Sequence, residues 1–162
     1  MPMLVSGVVA GFILGLASGG DWRKLGQLDL KLFPALVAAT VSRAAAPFFG
    51  ELALGISMLG LALIALVALI NRALPGAWLV ALGSMLNLLV ISINGGMPVE
   101  PGALTSAGKS LPNDGLHVLL GPGTHLGFLA DVLLAPIVNN VYSVGDVLLA
   151  VGGFWMAFRV LR

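Results

Sequence analysis

The side chains that could carry chemistry are concentrated in the second half of the chain. Asp131 and Asp146 each precede a similar apolar run, in residues 130–135 and 145–150. Two carboxyl groups that share a site have their pKa values driven apart, so that one can act as a base and the other as an acid. The structural alternative is that each aspartate begins a helix, where the positive end of the helix dipole favours an acid. We expect this helix-start role for Asp131 and an ion pair for Asp146.

Two histidines, His117 and His125, lie in the same half of the chain, close to Asp114, Thr124 and Asp131. Two histidines and an aspartate are sufficient to ligate a divalent metal. However, the spacing of eight residues between the histidines matches no helical ligand motif such as His-Glu-x-x-His. We therefore assign no metal ligands, and the sequence identifies no cofactor.

Two common motifs, one for nucleophilic catalysis and one for phosphate binding, are missing. The chain has no cysteine, no Gly-x-Ser-x-Gly elbow and no P-loop. The aspartate pair is thus the remaining candidate for catalysis, and we assign no catalytic residue from the sequence.

Ionisable residues in apolar segments are costly in a membrane and usually face the interior of a helix bundle or a water-filled cavity. Arg43 is the clearest case, since it lies within an otherwise apolar run. An ion pair with Asp146 or Glu51 would reduce the cost of burying its guanidinium group. The alternative is that Arg43 extends to the membrane surface, with its apolar stem in contact with lipid.

Asn87 and Asn94 are seven residues apart in another apolar run, nearly on one helix face, and Ser84 is close to that face. Such a polar stripe forms either a hydrogen-bonded seam between helices or a transport path. We favour the seam.

The composition indicates the environment of the helices that must position these residues. The chain has 162 residues and is 59% hydrophobic and 9% charged, with a mean hydropathy of +1.06. A soluble domain has about 25% charged residues, because it must cover its core with polar surface. Lipid must therefore cover much of this protein. No basic stripe indicates binding to nucleic acid.

Five apolar runs approach the roughly 20 residues that a helix needs to cross a membrane. We predict an all-α polytopic membrane bundle, a single domain over residues 1–162, with a loop at residues 94–142. The predicted spans cover residues 3–19, 31–49, 51–70, 76–93 and 143–161. Within the loop, residues 126–138 are apolar but too short to cross. They predict a short re-entrant or interfacial helix that begins near Asp131.

The distribution of lysine and arginine predicts the orientation. With the N-terminus outside, six of these residues lie on the inner side and two on the outer side, as the positive-inside rule requires. The sequence therefore predicts a multi-pass protein of the cell membrane, with its C-terminus in the cytoplasm. The candidate polar cluster near the outer surface comprises Arg43, Asn87, Asn94, His117, His125, Asp131 and Asp146.

Glycines recur at every fourth position of the first apolar run: Gly7, Gly11, Gly15 and Gly19. Together they form a smooth stripe on which a second helix backbone can pack closely. We expect this contact to lie within the bundle, and the alternative is self-association or assembly into a membrane-protein complex.

Three stretches of the chain carry a resemblance to a known family: residues 94–99 (Asn-Gly-Gly-Met-Pro-Val), 117–131 and 142–147. They resemble a family of small bacterial integral membrane proteins, domain of unknown function 5317, over most of the chain. The resemblance implies the membrane architecture and the outer polar cluster, and it implies no reaction.

Residues 140–146 are also loosely similar to an element of the lipoprotein signal peptidases. Those membrane enzymes have two catalytic aspartates near the outer surface. Their Gly-Asn-x-x-Asp-Arg element is absent here, since residues 83–89 have a different sequence at the corresponding place.

Our leading hypothesis is a non-catalytic membrane subunit or binding module, whose outer polar cluster binds a partner protein, a lipid headgroup or a small ligand. The alternative is a membrane-embedded aspartyl hydrolase that acts on a lipid or a membrane-anchored peptide. A small transporter that uses the Asn87–Asn94 stripe is a third hypothesis, although no inverted repeat supports it.

Overall fold

The computed structural model describes residues 2–135 and 139–162, and this part of the chain is mostly helical. Five long helices coincide within a few residues with the apolar runs predicted from the sequence. The α-helices are α1 (Pro2–Ala17), α2 (Phe33–Ala45), α3 (Ala53–Ile70), α4 (Ala77–Asn94), the short α5 (Pro101–Ser106), and α6 (Val144–Val160).

The chain turns back on itself between α2 and α3. A 3-10 segment, Ala46–Leu52, joins the two helices, and within it Gly50 has φ 51° and ψ −121°. Glycine adopts positive φ without steric cost, which permits the sharp turn. Residues after the turn then pack on α2: a Cβ added to Gly60 would lie 3.1 Å from the carbonyl oxygen of Ala39. The two helices therefore form an antiparallel hairpin.

The five long helices form an open arc. α1 packs against α6, α6 against α4, α4 against α3, and α3 against α2. In the described part of the chain, α1 and α2 have almost no contact with each other. The arc thus has a gap between its first and last helices.

Glycines permit the close contact between α1 and α6. A Cβ atom added to Gly7 would lie 2.1 Å from the carbonyl oxygen of Ala150. One added to Gly11 would lie 2.3 Å from the carbonyl oxygen of Phe154. Both distances are too short for any side chain, so the two backbones touch here as they do in small-residue helix interfaces.

The remaining two glycines of the predicted stripe differ from each other. Gly15 continues the contact by facing the side chain of Leu161. Gly19 has φ 86° and no neighbouring atom within 4 Å in the described chain, since it belongs to the turn that follows α1. Self-association through this face stays a prediction, and it would require α6 to leave the face.

Residues 95–143 contain two small sheets, which the all-α prediction did not include. β1 (Met97–Val99) pairs in parallel with β2 (His117–Leu119). β3 (Leu133–Ala135) pairs antiparallel with β4 (Asn140–Tyr142). The described part of this segment is therefore folded, and it lies at one end of the helix bundle, which we call the loop end.

The helix predicted to begin near Asp131 does not form. A 3-10 turn, Gly127–Leu129, precedes Asp131, and Asp131 itself forms a bridge to Val99 before β3 begins. The backbone N–H and C=O groups of β3 form their hydrogen bonds with β4. A helix is therefore not needed to pair them. The last residues of the predicted segment, 136–138, lie outside the described residues.

Length and composition identify two helical stretches that can cross a membrane, Phe33–Ile70 and Ala77–Asn94, and a shorter apolar helix, Met3–Ala17. By length and composition, two stretches of the described chain qualify as membrane-crossing, whereas the sequence predicted five spans. The difference arises because α1 and α6 are shorter than 18 residues and because the hairpin of α2 and α3 counts as one continuous stretch.

Candidate functional site

A cavity of about 760 Å³ lies at the loop end of the bundle, and we call it the polar cavity. Each of the five long helices contributes a polar side chain to its lining: Ser6, Arg43, Ser57, Asn87 and Asp146. The segment between α4 and α6 contributes others, among them Lys109, Asp114, His117 and Asp131. The structure thus brings most of the predicted polar cluster to one cavity.

Asp146 is held by a closed set of hydrogen bonds at the start of α6. Its backbone N–H donates to Ser143 Oγ (3.0 Å), which caps the helix. Ser143 Oγ donates to Asn87 Oδ1 (2.9 Å), and Asn87 Nδ2 donates to Asp146 Oδ1 (3.0 Å). Asn87 therefore forms the expected seam between α4 and α6, and it fixes the direction of the Asp146 carboxylate.

Two glycines make room for this arrangement. A Cβ added to Gly145 would lie 2.0 Å from Asn87 Oδ1, and one added to Gly83 would lie 2.5 Å from the carbonyl oxygen of Gly145. Larger residues would push α4 and α6 apart and break the bonds to Asn87. The local sequence of both helices is therefore part of the site.

Arg43 extends from α2 toward α3. Its Nη1 donates to the carbonyl oxygen of Ser57 (3.1 Å) and to Ser57 Oγ (3.0 Å). Its stem crosses Gly60, where an added Cβ would lie 2.5 Å from Arg43 Cγ. Arg43 Nε is buried and has no hydrogen-bond partner among the described residues.

The predicted ion pair of Arg43 is not formed. Among the described residues, no nitrogen of Arg43 lies within 4.0 Å of a carboxylate oxygen of Asp146 or Glu51. The reason is that each group has nearer partners: Ser57 accepts from Arg43, and Asn87 donates to Asp146. Arg43 and Asp146 instead line the same cavity with space between them.

Asp131 enters the cavity from an extended segment and not from a helix. Its backbone N–H donates to the carbonyl oxygen of Pro98 (2.9 Å), and its own carbonyl oxygen accepts from the N–H of Glu100 (3.0 Å). These bonds anchor Asp131 beside β1. The helix-start role predicted for Asp131 is therefore wrong, whereas Asp146 does lie in the first turn of a helix.

The Asp131 carboxyl group is only 7% exposed, and its Oδ1 has no partner among the described residues. Burial, and secondarily the nearby carboxylate of Asp146, raise the pKa of Asp131 to about 8. Both effects disfavour the charged form of an acid. At neutral pH the group is thus mainly protonated and can donate a hydrogen bond.

A histidine–aspartate pair also lines the polar cavity. His117 Nδ1 lies 2.8 Å from Asp114 Oδ2, and Asp114 Oδ1 accepts from the N–H of Leu116 (2.9 Å). Because a carboxylate can only accept, the proton of a neutral His117 ring lies on Nδ1, which leaves Nε2 basic. Sequence reasoning missed this pair, although Asp114-Gly115 is a typical turn signal that brings a side chain back to its neighbours.

Asn94 and His125 lie apart from the polar cavity, and both line a smaller cavity of about 400 Å³. Asn94 Nδ2 donates to the carbonyl oxygen of His125 (3.0 Å), and Asn94 Oδ1 accepts from the N–H of His125 (2.9 Å). Asn94 thus anchors a loop to the end of α4. The predicted stripe does not continue from Asn87 to Asn94 as a single polar path.

One further motif lies at the edge of the polar cavity. Ser106 and Lys109 have the Ser-x-x-Lys spacing of some serine acyl-transfer enzymes. In those enzymes the serine and the lysine act together. Here α5 ends at Ser106, and Lys109 Nζ donates to Asn140 Oδ1 (3.0 Å). We therefore assign Lys109 to the lining of the cavity and not to a serine nucleophile.

The donor set of the cavity is suited to a polar ligand. It includes a guanidinium group, an amine, a protonated carboxyl group, a carboxylate and an imidazole. Within residues 2–135 and 139–162, no three histidine, cysteine or acidic side chains cluster as metal ligands would. The cavity can thus offer donors and acceptors of both charges to one bound molecule.

Comparison with known proteins gives a single result. A model of a family of unknown function, DUF5317, matches residues 24–158. No characterised protein and no solved structure matches significantly, and the resemblance to lipoprotein signal peptidases stays a prediction. Because the match covers most of the chain, the protein belongs to the family of unknown function DUF5317.

Proposed function

We propose that this protein is an integral membrane protein whose polar cavity binds a small polar or amphiphilic ligand. It would act as a binding module or as a non-catalytic subunit of a membrane complex. The observation that carries this proposal is a pair of buried atoms, Arg43 Nε and Asp131 Oδ1, which lack partners among the described residues. Both side chains line the same cavity. An unsatisfied buried polar group costs about 1–3 kcal/mol, and a ligand that bonds to both groups recovers that cost.

The proposal includes five membrane crossings by a single domain. Each long helix exposes large apolar side chains, with exposed fractions of 49% to 61% for Ile13, Val41, Leu59, Trp78 and Trp155. Apolar surface on every outward helix face is expected of a bundle that lipid surrounds. Water would meet the same surface at a high cost in free energy.

Helix lengths are compatible with five crossings. The stretch Phe33–Ile70 contains two antiparallel helices and would therefore contribute two crossings. α3 has 18 residues, whereas α2 has 13 and would cross together with its flanking residues 31–32 and 46–49. α1 and α6 have 16 and 17 residues, or about 24–26 Å at 1.5 Å per residue. A bilayer accommodates helices a few ångströms shorter than its core by thinning locally.

We propose an orientation with the N-terminus outside and the C-terminus in the cytoplasm of the cell. The end of the bundle opposite the polar cavity brings basic connections together: Lys24 Nζ donates to the carbonyl oxygen of Arg162, and Lys31 N–H donates to Asn71 Oδ1 (2.9 Å). Arginine and lysine near helix ends are retained on the cytoplasmic side. The polar cavity then faces outward.

A panel of defined compounds tests ligand binding. Phosphoethanolamine, glycerol 3-phosphate, glycine and a lysophospholipid are each added to protein purified in a mild detergent. We expect at least one compound to raise the melting temperature of the wild type but not of Asp131→Leu. The variant removes the unpartnered carboxyl group and replaces it with an apolar side chain of similar size, a change that a buried site often tolerates.

The control for this panel is Asp29→Leu, since Asp29 is exposed in the connection between α1 and α2. It should respond to the panel as the wild type does. If no compound changes the melting temperature at millimolar concentration, or if Asp131→Leu responds like the wild type, the cavity is not a ligand site.

The second candidate function is a membrane-embedded aspartyl hydrolase, and one observation favours it. Asp131, with its pKa raised to about 8, is an acid at neutral pH, whereas Asp146 accepts a hydrogen bond from Asn87 as a carboxylate does. Two carboxyl groups in unlike states can divide the roles of general acid and base. This reading predicts that Asp131→Asn and Asp146→Asn each abolish hydrolysis of a fluorogenic lipid or lipopeptide while the protein stays folded. Turnover by either variant would exclude the pair as catalysts.

A further inference from the structure

One wall of the polar cavity is formed by two helices that have almost no contact with each other in the described chain. Residues of both α1 and α2 line it, including Ser6 on α1 and Thr40 and Ala44 on α2. These two helices are the ends of the open arc and have almost no contact with each other in the described chain. In a bilayer, the cavity is therefore open sideways to the lipid between α1 and α2.

Below this opening, both helices present apolar faces. On α1, the face that continues from cavity-lining Val5 carries Val9, which is 48% exposed. On α2, the face that continues from Thr40 toward the other end of the bundle carries Val37 and Phe33, which are 45% and 56% exposed. Spacings of three, four and seven residues put these side chains in line with the cavity. Two apolar helix faces thus lead away from the polar cavity, and they suit the acyl chains of a lipid whose headgroup occupies the cavity.

The charges in the polar compartment come in both signs. Arg43 and Lys109 are cations, and a guanidinium group with a free Nε–H bonds well to phosphate oxygens. Asp146 is the matching acidic group, and the mainly protonated Asp131 adds a carboxyl oxygen, Oδ1, that lacks a partner among the described residues and can accept from an ammonium group. A ligand that carries a phosphate and an ammonium group satisfies both sets. A purely anionic headgroup would leave the carboxyl groups unpaired, and an uncharged one would satisfy neither set.

We infer that the polar cavity binds the headgroup of a phosphoethanolamine-type membrane phospholipid, which reaches it sideways between α1 and α2 while its acyl chains stay in the bilayer. This inference rests on the proposed function and names its ligand class. A cavity of about 760 Å³ is large enough for such a headgroup, because small-molecule sites typically have about 300–1,000 Å³.

The test uses the full chain, stripped of lipid in detergent, with binding measured by native mass spectrometry and by the shift in melting temperature. The probes are dioleoyl phosphatidylethanolamine, dioleoyl phosphatidylglycerol, diolein and soluble glycerophosphoethanolamine. We expect the phosphatidylethanolamine to bind at least about tenfold more tightly than each of the others. The soluble headgroup should bind weakly because it lacks the apolar contacts of the chains.

Variants separate the headgroup site from the sideways opening. Arg43→Gln and Lys109→Gln should each weaken phosphatidylethanolamine binding, and Lys109 is exposed, so its substitution does not endanger folding. Val9→Trp, on the apolar face of α1 and outside the cavity lining, should obstruct the opening and abolish lipid binding without weakening the soluble headgroup. Leu59→Trp, at an exposed position of α3, which does not border the opening, is the matched control and should bind lipid normally.

Each contrary result has a distinct meaning. Equal binding of phosphatidylglycerol or diolein overturns the headgroup assignment. Normal lipid binding by Val9→Trp overturns the sideways opening. Soluble headgroup binding as tight as lipid binding shows that the cavity is a ligand site without a role for the chains, which overturns this inference but leaves the proposed function intact. If neither the lipids nor the compounds of the earlier panel bind, the proposed function fails as well.

Discussion

At the scale of single residues, Asp131 is a carboxyl group held where its ionised form is disfavoured. It is buried beside β1, its backbone is fixed by Pro98 and Glu100, and its pKa is raised to about 8 by burial and by Asp146. In the unfolded chain the same group titrates near 3.8. Between these two values the folded state keeps a proton that the unfolded state has lost.

This difference predicts how stability depends on pH. The contribution of Asp131 is fully present below about pH 4, and it is lost as the pH rises toward 8, at about 1.4 kcal/mol for each unit between the two pKa values. Asp131→Asn mimics the protonated acid at every pH. We therefore expect the melting temperature of the wild type to fall more between pH 5 and pH 9 than that of Asp131→Asn. Asp29→Asn should fall as the wild type does, and an equal fall in Asp131→Asn would mean that Asp131 is solvated.

Asp146 depends on Asn87 and not on Arg43. Asn87 touches both Ser143 and Asp146, so its removal leaves two polar groups unpaired in a buried place. In a double-mutant cycle, we expect Asn87→Ala and Asp146→Ala to be coupled by about 1–3 kcal/mol. Arg43→Ala and Asp146→Ala should be nearly additive, within about 0.5 kcal/mol. Unfolding curves of the variants in detergent and denaturant measure both quantities. A larger coupling for the Arg43 cycle would show that the ion pair forms after all.

At the scale of helices and strands, the contact between α1 and α6 depends on a missing side chain. Gly11→Ala places a Cβ about 2.3 Å from the Phe154 carbonyl oxygen, and overpacking of this kind costs about 1–3 kcal/mol. Gly55→Ala is the matched control, because Gly55 lies within α3 with no atom within 4 Å of an added Cβ in the described chain. It should gain about 0.5–1 kcal/mol from the greater helix preference of alanine.

The difference in melting temperature between the two variants measures this contact. Equal melting temperatures for Gly11→Ala and Gly55→Ala would show that the glycine face of α1 is free of α6. In that case the same face is available to a second copy or to a partner protein.

At the scale of the whole molecule, the arc of five helices places basic connections at one end and the polar cavity at the other. The proposed orientation predicts that a cysteine at Ser106, in α5, reacts with a membrane-impermeant thiol reagent in intact cells. A cysteine at Arg72 should react only after the membrane is permeabilised. Both positions are exposed, and the absence of native cysteine removes background labelling. The reverse pattern would invert the orientation.

The positions of the long helices could be predicted from the sequence because apolar length and turn residues are local properties. The apolar runs of residues 51–70 and 76–93 end at polar and glycine-containing turns, and α3 and α4 follow them within two residues. The glycine spacing of α1 likewise predicted a close helix contact, and it could not identify α6 as the partner. Family membership was also predictable, since short stretches such as residues 94–99 are specific in sequence.

Only the tertiary structure decided which polar groups meet. From the helical period, the sequence predicted that Asn87 and Asn94 lie on one polar face. In the structure, Asn94 lies at the end of α4 and its side chain is hydrogen-bonded to His125 in the loop. The sequence predicted a helix after Asp131, but β3 forms there and pairs with β4. Asp131 itself forms a bridge to Val99, far away in sequence, and this contact places its carboxyl group in the cavity. Arg43 donates a hydrogen bond to Ser57 and forms no ion pair with a carboxylate among the described residues. Helix formation is set by neighbours along the chain, whereas the contents of a cavity are set by residues that only folding makes adjacent. For that reason the sequence by itself determined the apolar helices and their turns, and the tertiary structure alone decided the polar cavity and its opening between α1 and α2.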